Sequence, residues 1–292
     1  MERAARKDSD VAEDFKMLAA AAGGMIKAVI LARGLGKRMR SPDSSVVLAG
    51  EQAQAADTGM KTMIPIGRPF LDFVLSALAD SGISQACLII GPEHTAIREY
   101  YQSLSPRRIE ISFAIQEHPI GTANALLSAR SFTDNESFMV LNSDNYYPVE
   151  VFRALHELGE PGLPAFELES LVREGNISRE RVRQYAILQI DSSGFLKRIV
   201  EKPTEMPGAS TGSEIYVSMN CWRFDSSIFR ACELVPRSQR GEFELPEAVQ
   251  LGLVSLGLKF KAVPFHTGVL DLSQRSDIAS VTQRLAGIQV DL

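Results

Sequence analysis

Uninterrupted apolar runs at residues 26–32, 86–90, 109–115 and 138–141 alternate along the chain with segments whose apolar positions recur every three or four residues, at 71–81, 95–104 and 123–129. Short continuous apolar runs suit strands buried on both faces, and the 3.6-residue period suits helices that cover a sheet. The alternation predicts βαβ units around a mostly parallel sheet. The second half changes character. Segments 185–190 and 195–200 flank Asp191-Ser192-Ser193-Gly194, which reads as a hairpin turn. A strand over 215–224 and a helix over 226–234 follow. Another helix is predicted to open at Pro246 and run to about 251, and 259–263 reads as a late strand. With no repeat and no flexible linker, the two halves are expected to share one sheet. Residues 41–59 are polar, alanine-rich and poorly periodic, which fits either a flap beside the first strand or an inert insertion.

Composition narrows the class. The chain has 292 residues and is 45% hydrophobic, enough for one large α/β domain or two closely joined ones, and it excludes a disordered or fibrous protein. Its 31 basic and 36 acidic side chains are spread without a basic stripe, so no nucleic-acid partner is expected and any anion site must be a local cluster. The three cysteines, Cys87, Cys221 and Cys232, have no metal-ligand spacing and read as reduced thiols of a cytoplasmic protein. The apolar stretch before Lys27 is preceded by Glu2, Asp8, Asp10, Glu13 and Asp14, and it falls short of a membrane span. Neither export nor membrane insertion is expected. Residues 1–24 read as a short peripheral helix or a disordered lead.

The chemistry concentrates at Ile30 to Met39, ILARGLGKRM, where a buried-strand pattern runs into a glycine-bearing turn that ends in two cations. Gly34 and Gly36 let main-chain amides close around a ligand, with Lys37 and Arg38 beside them, which suits a polyphosphate. The turn is neither a P-loop nor the dinucleotide fingerprint, since Lys37 precedes Arg38 and Met39 stands where the latter wants glycine. In a parallel sheet, ligands collect at the carboxyl ends of the strands, where Gly34, Gln116 and Asp144 are all expected.

Five further segments keep this turn company: Lys61-Thr62-Met63-Ile64-Pro65, Gln116 to Ala123 (QEHPIGTA), Val140 to Asp144 (VLNSD), Glu201-Lys202-Pro203 and the later Leu270-Asp271. In order and spacing the set resembles the sugar-1-phosphate nucleotidylyltransferases, which make nucleoside-diphosphate sugars, over about residues 25–277. The resemblance implies a Rossmann-like, mostly parallel mixed sheet of the nucleotide-diphospho-sugar transferase (GT-A-like) type, with residues 25–145 as the nucleotide-binding half and 146–292 as the sugar-phosphate half. It implies that a nucleoside triphosphate and a sugar 1-phosphate react to give a nucleoside-diphosphate sugar and pyrophosphate, with Mg²⁺ as cofactor. Leu31, Ala32, Arg33 and Gly34 would then line the nucleotide, and Arg38 and Lys61 would meet its phosphates. Gln116, Gly121 and Thr122 would meet the base. Asp144 and Asp271 would hold the metal, Lys202 the sugar phosphate, and Glu201, Asn145, Tyr185 and Asn220 the sugar. Glu242 and Glu244 suit either this pocket or a helix start, and none of the four histidines is assigned to catalysis.

The pattern has departures. Arg33 replaces a small residue, Thr62 stands where proline commonly follows the lysine, Ala186 replaces a glycine, and the tryptophan and glycine around the second aspartate are missing. Two other readings stay open at this point: a glycosyltransferase that uses nucleotide sugars, although Asp144-Asn145-Tyr146 lacks the aspartate pair spaced by one, and a nucleotide-sugar sensor without turnover. A homo-oligomer is compatible with the sequence.

Overall fold

The structure, a computed structural model, describes residues 26–44, 46–48, 50–201, 203 and 214–292. Lys202 and residues 1–24, for which expectations were stated above, lie outside the described residues. Strands β1 (Lys27–Leu31), β2 (Gln85–Ile90), β3 (Glu110–Ile115) and β4 (Phe138–Asn142) form the first half of the sheet in the order β3-β2-β1-β4, all parallel. Helices Phe70–Asp80, Thr95–Ser103 and Thr122–Leu127 form the connections, within a residue or two of the periodicity that announced them.

A two-residue strand β5 (Asn145–Tyr146) and helix Val149–Glu157 then lead to β6 (Gly162–Glu167), β7 (Ala186–Ile190), β8 (Leu196–Val200), β9 (Tyr216–Ser218) and β10 (Cys221–Phe224). The sheet continues from β4 as β10-β6-β9-β7-β8 through antiparallel pairs, so both halves share one twisted sheet. Late strand β11 (Lys261–Phe265) pairs parallel with β6, and β12 (Leu270–Asp271) pairs only with β5. The mixed sheet is thus parallel where the early strands build it and mainly antiparallel beyond β4, with β11–β6 the parallel exception.

Successive side chains on a strand point to opposite faces, and the core divides accordingly. Ala28 and Ile30 of β1 and Leu88 and Ile90 of β2 pack on one side. Val29, Cys87 and Ile89 pack on the other, against Trp222 and Phe224.

Three local differences from the sequence pattern have physical causes. Segment 215–224 is two strands, because Asn220 takes a left-handed conformation at φ 57°, which asparagine tolerates better than most residues. The segment 41–59 contains helix Gly50–Thr58, built from alanine, glutamine and glutamate, which favour helix without marking an apolar face. Strand β6 carries Pro164 and so reads poorly as a strand, yet every one of its residues is buried.

Candidate active site

At the carboxyl ends of β1, β2, β3 and β4 lies an open cleft of about 320 Å³. It gathers Leu31, Ala32, Arg33 and Gly34 from the first turn, Lys61 from the segment after helix Gly50–Thr58, Gln116, Gly121 and Thr122 after β3, and Asp144 after β4. Lys37, His94, Asn142, Ser143 and Glu242 also line it. Nine residues singled out from sequence for the nucleotide or the reaction therefore converge.

The turn is built on glycine for a specific reason. Gly36 adopts φ +57°, and a β-carbon there would meet Gly59 O at 2.1 Å. The glycine turn thus seats directly on the end of helix Gly50–Thr58, and the polar insertion is a wall of the cleft. A one-turn helix, Lys37–Arg40, follows, and the first amides of such a turn have no partner within the helix. Arg38 lies just outside the cleft lining, where its Nη1 donates to Gln184 Oε1 at 3.1 Å.

Lys61 and Asp144, 83 residues apart, form an ion pair with Nζ 2.7 Å from Oδ2. Both side chains are about one-fifth exposed, so they are reachable by a ligand while shielded from bulk water. Asp144 is positioned by its neighbours' main chain: Ser143 N donates to Leu31 O at 3.2 Å and Leu272 N donates to Asp144 O at 2.8 Å.

Arg33, the unusual residue of the turn, lines the cleft and pairs with Glu93. Its Nη2 donates to both carboxylate oxygens of Glu93, at 3.1 and 3.2 Å, and the side chain is buried. Beside this pair, burial lowers the His94 pKa, the Glu93 charge opposes that shift, and Arg33 adds to it.

Around the base end, Gln116 Nε2 donates to Gly121 O and to Asn124 Oδ1, each at 3.0 Å. Its donor is committed to holding the loop, which leaves the amide oxygen as the group available to a ligand. Gly121 is required by packing, since a β-carbon there would meet Phe243 O at 2.3 Å. Thr122 ties this loop to a later helix. Thr122 Oγ1 accepts from Leu245 N at 2.8 Å, at the start of helix Leu245–Ser255. Glu244 is similarly structural, binding Ser238 Oγ at 2.7 Å and the Arg240 guanidinium.

Asp271, Asn145 and Tyr185 form a second cluster next to Asp144. Asp271 is 2% exposed; its Oδ1 accepts from Ser273 Oγ at 2.7 Å and Asn145 Nδ2 at 3.3 Å, and its Oδ2 accepts from Tyr185 OH at 2.5 Å and from Arg181. Burial raises the Asp271 pKa and the nearby Asp144 charge adds to that, while Tyr185, Arg181 and Ser273 oppose it. Burial also raises the Tyr185 phenol, with Asp271 acting in the same direction. Burial acts against the Arg181 charge, but Asp271 and Asp277 outweigh it and raise its pKa. Sequence reading missed Arg181, which lies in the four-residue helix Arg179–Val182 and meets carboxylates 90 and 96 residues away. No local motif signals such a contact.

Two expected sugar contacts, Glu201 and Asn220, are not among the cleft's lining residues, although Asn220 directly precedes Cys221, the β10 partner of Leu141 in β4. Glu201 lines a separate groove between β8 and helix Leu245–Ser255. Asn220 sits at the left-handed break between β9 and β10, its amide donating to Ser218 Oγ at 3.3 Å.

Comparison with known proteins places this architecture. The sequence model of the nucleotidyl transferase family matches residues 27–263. UTP–glucose-1-phosphate uridylyltransferase AglF of Haloferax volcanii is 27% identical over 261 residues, covering 89% of this chain and 96% of that protein. D-glycero-alpha-D-manno-heptose 1-phosphate guanylyltransferase of Campylobacter jejuni is 29% identical over 174 residues, covering 59% of this chain and 71% of that protein. Several other relatives are longer, and the chain spans about half of their length. Among solved structures, a UDP-glucose pyrophosphorylase in complex with UDP-glucose shares the fold with a TM-score of 0.69 at 16% identity, over 91% of this chain and 100% of that one.

Proposed function

We propose that this chain, which belongs to the nucleotidyl transferase family, condenses a nucleoside triphosphate with a sugar 1-phosphate to give a nucleoside-diphosphate sugar and pyrophosphate. The uridylyl- and guanylyltransferase relatives support sugar 1-phosphates as the acceptor class. The observation that carries the reading is the Lys61–Asp144 pair, 2.7 Å apart in a cleft that Gln116 also lines.

The reaction joins two polyanions at one phosphorus, so the protein's work is alignment and neutralisation of charge. The base lies against Leu31 and Ala32, and Gln116 Oε1 accepts from a ring N–H or amino group. That feature suits uracil, thymine, guanine or cytosine and leaves the choice to the assay. The triphosphate follows the glycine turn, where Lys37 and Arg38 supply positive charge. Arg38 can chelate phosphate oxygens with its planar fork, whereas Lys61 acts as a point charge. A sugar-phosphate oxygen attacks the α-phosphorus opposite the departing pyrophosphate. Lys61, freed from Asp144, stabilises the charge that develops on the equatorial and leaving oxygens. No covalent intermediate on the protein is required. Lys202 remains the proposed contact for the sugar phosphate.

Mg²⁺ is part of the proposal. Asp144 fits it, because its Oδ1 has no hydrogen-bond partner among the described residues and phosphate oxygens can complete the shell. When bound, the ion neutralises phosphate charge and helps orient the reacting groups. Asp271 does not fit as it stands, since both its oxygens are taken up by protein donors. A cytoplasmic site of action is proposed from the three free, buried cysteines; among the described residues no helix is long and apolar enough to cross a membrane.

The test is a matrix of UTP, dTTP, CTP and GTP against several sugar 1-phosphates, read by pyrophosphate release. At least one pair should release pyrophosphate only when both substrates are present. Failure with every pair, together with tight binding of a nucleotide sugar, would favour a sensor instead.

A further inference from the structure

The Asp144–Asp271 neighbourhood holds two carboxylates, but only one has a free oxygen. An ionised carboxylate offers about four acceptor directions, and those of Asp271 are used by Ser273, Asn145, Tyr185 and Arg181. All four partners donate. The main chain of Asp271 is fixed as well: Asn176 Nδ2 donates to its carbonyl at 2.9 Å and Asn176 Oδ1 accepts its N–H at 2.7 Å. The carboxylate therefore cannot turn to a new ligand without dismantling a buried network.

Arg181 is equally committed. Its Nη1 donates to Asp277 Oδ1 at 2.5 Å and its Nη2 to Asp277 Oδ2 at 3.3 Å, while Asp277 itself is pinned by the amides of Ser273 and Gln274, each at 2.9 Å. Arg181 lies four residues before Tyr185 and three before Gln184, and Gln184 receives Arg38 of the glycine turn. One partly buried guanidinium thus ties the last strand to the helix that leads to Gln184, the partner of Arg38.

We propose that Arg181 is a resident cation occupying Asp271, so that this site recruits its divalent ion on Asp144 without Asp271. The inference rests on the reading above only in taking Asp144 as the metal carboxylate. It deepens that reading by assigning Asp271 a structural task and by naming a cation no motif announces. A consequence is that the free protein holds the ion weakly and that substrate phosphates complete its shell.

Mn²⁺ alone is the probe, followed by electron paramagnetic resonance on the full chain. Asp144→Asn should weaken Mn²⁺ binding at least tenfold, and Asp271→Asn should leave it within about twofold of wild type. Arg181→Gln, which removes the cation from Asp271 and frees one acceptor direction on its Oδ2, should tighten Mn²⁺ at least tenfold. Thermal melts establish which variants are folded. If the network variants do not fold, crystals of the wild-type protein soaked in MnCl₂ decide by anomalous scattering, with Mn²⁺ expected at Asp144 and outside coordination distance of Asp271. A tenfold loss in folded Asp271→Asn, unchanged or weaker binding in folded Arg181→Gln, Mn²⁺ coordinated by Asp271, or no Mn²⁺ at Asp144 would each overturn the proposal. These readouts need no turnover, so a failed activity assay and a failed metal assignment are separately visible.

Discussion

Gly36 and Gly59 are in such close main-chain contact that a β-carbon on Gly36 would lie 2.1 Å from the Gly59 carbonyl oxygen. Lys61 N also donates to that carbonyl, at 2.9 Å, so one oxygen links the glycine turn to the lysine of the ion pair. The insertion that carries Gly59 is consequently part of how the cleft is assembled. Gly36→Ala combines a left-handed φ with a backbone clash, each of which costs about 1 kcal/mol or more. It is expected to lower the melting temperature and to weaken triphosphate binding about tenfold or more, as read by calorimetry. Binding at the wild-type level would show that the turn can open without loss.

Asp144→Asn keeps the shape of the side chain and removes the charge that faces Lys61. Turnover is expected to fall by about two orders of magnitude or more, with the melting temperature little changed because the pair is partly exposed. Steady-state kinetics alongside a melt reads both quantities. Near-normal turnover would remove Asp144 from the reaction.

Glu167 caps helix Leu168–Glu174, its carboxylate accepting from Glu169 N at 2.8 Å and Ser170 N at 2.7 Å. Burial alone would push its pKa up, but the hydrogen bonds from Ser170 and Glu169 outweigh it, and the net shift is downward from the ordinary value of 4.5. A carboxyl with a depressed folded-state pKa contributes stability above its unfolded pKa and loses it as pH falls through the folded value. Glu167→Gln should therefore be about 1 kcal/mol less stable than wild type at neutral pH. The gap should close as the pH is taken from about 4.5 downward, as measured by urea unfolding. A gap independent of pH would mean that the ionised form is not what stabilises the cap.

The three cysteines are free and buried, and burial pushes the Cys87 thiol up to about 11 and the Cys232 thiol to about 12, with Cys221 raised as well. Since the thiolate is the reactive form, none should react with a disulfide reagent in the native protein at neutral pH. All three should react after unfolding in guanidinium. Fast native labelling would indicate local opening around β2, β10 or helix Ile228–Leu234.

Sequence reading succeeded where a residue's role follows from its neighbours. The runs around β1 to β4 are apolar because those strands are covered on both faces, so their carboxyl ends, and with them Gly34, Gln116 and Asp144, could be located along the chain. It was weaker wherever the role is set by distant partners. The Arg33 guanidinium turns to Glu93, 60 residues on, and Thr122 serves the helix that begins at Leu245, 123 residues on. Leu270-Asp271 likewise gives no hint that Arg181, Tyr185 and Ser273 close on the Asp271 carboxylate. Helix Gly50–Thr58 escaped notice for a related reason: only Ala56 is buried, so it has no apolar stripe to read.

The central claim is that one cleft joins a nucleotide to a sugar phosphate with release of pyrophosphate. It is tested most directly by ³¹P nuclear magnetic resonance of the protein with Mg²⁺, UTP and glucose 1-phosphate, repeated for the other triphosphates. The account predicts that one triphosphate is consumed together with the sugar phosphate, and that pyrophosphate and a diphosphate-linked sugar appear in equal amounts. Release of inorganic phosphate instead, or consumption of triphosphate that does not depend on the sugar phosphate, would contradict it.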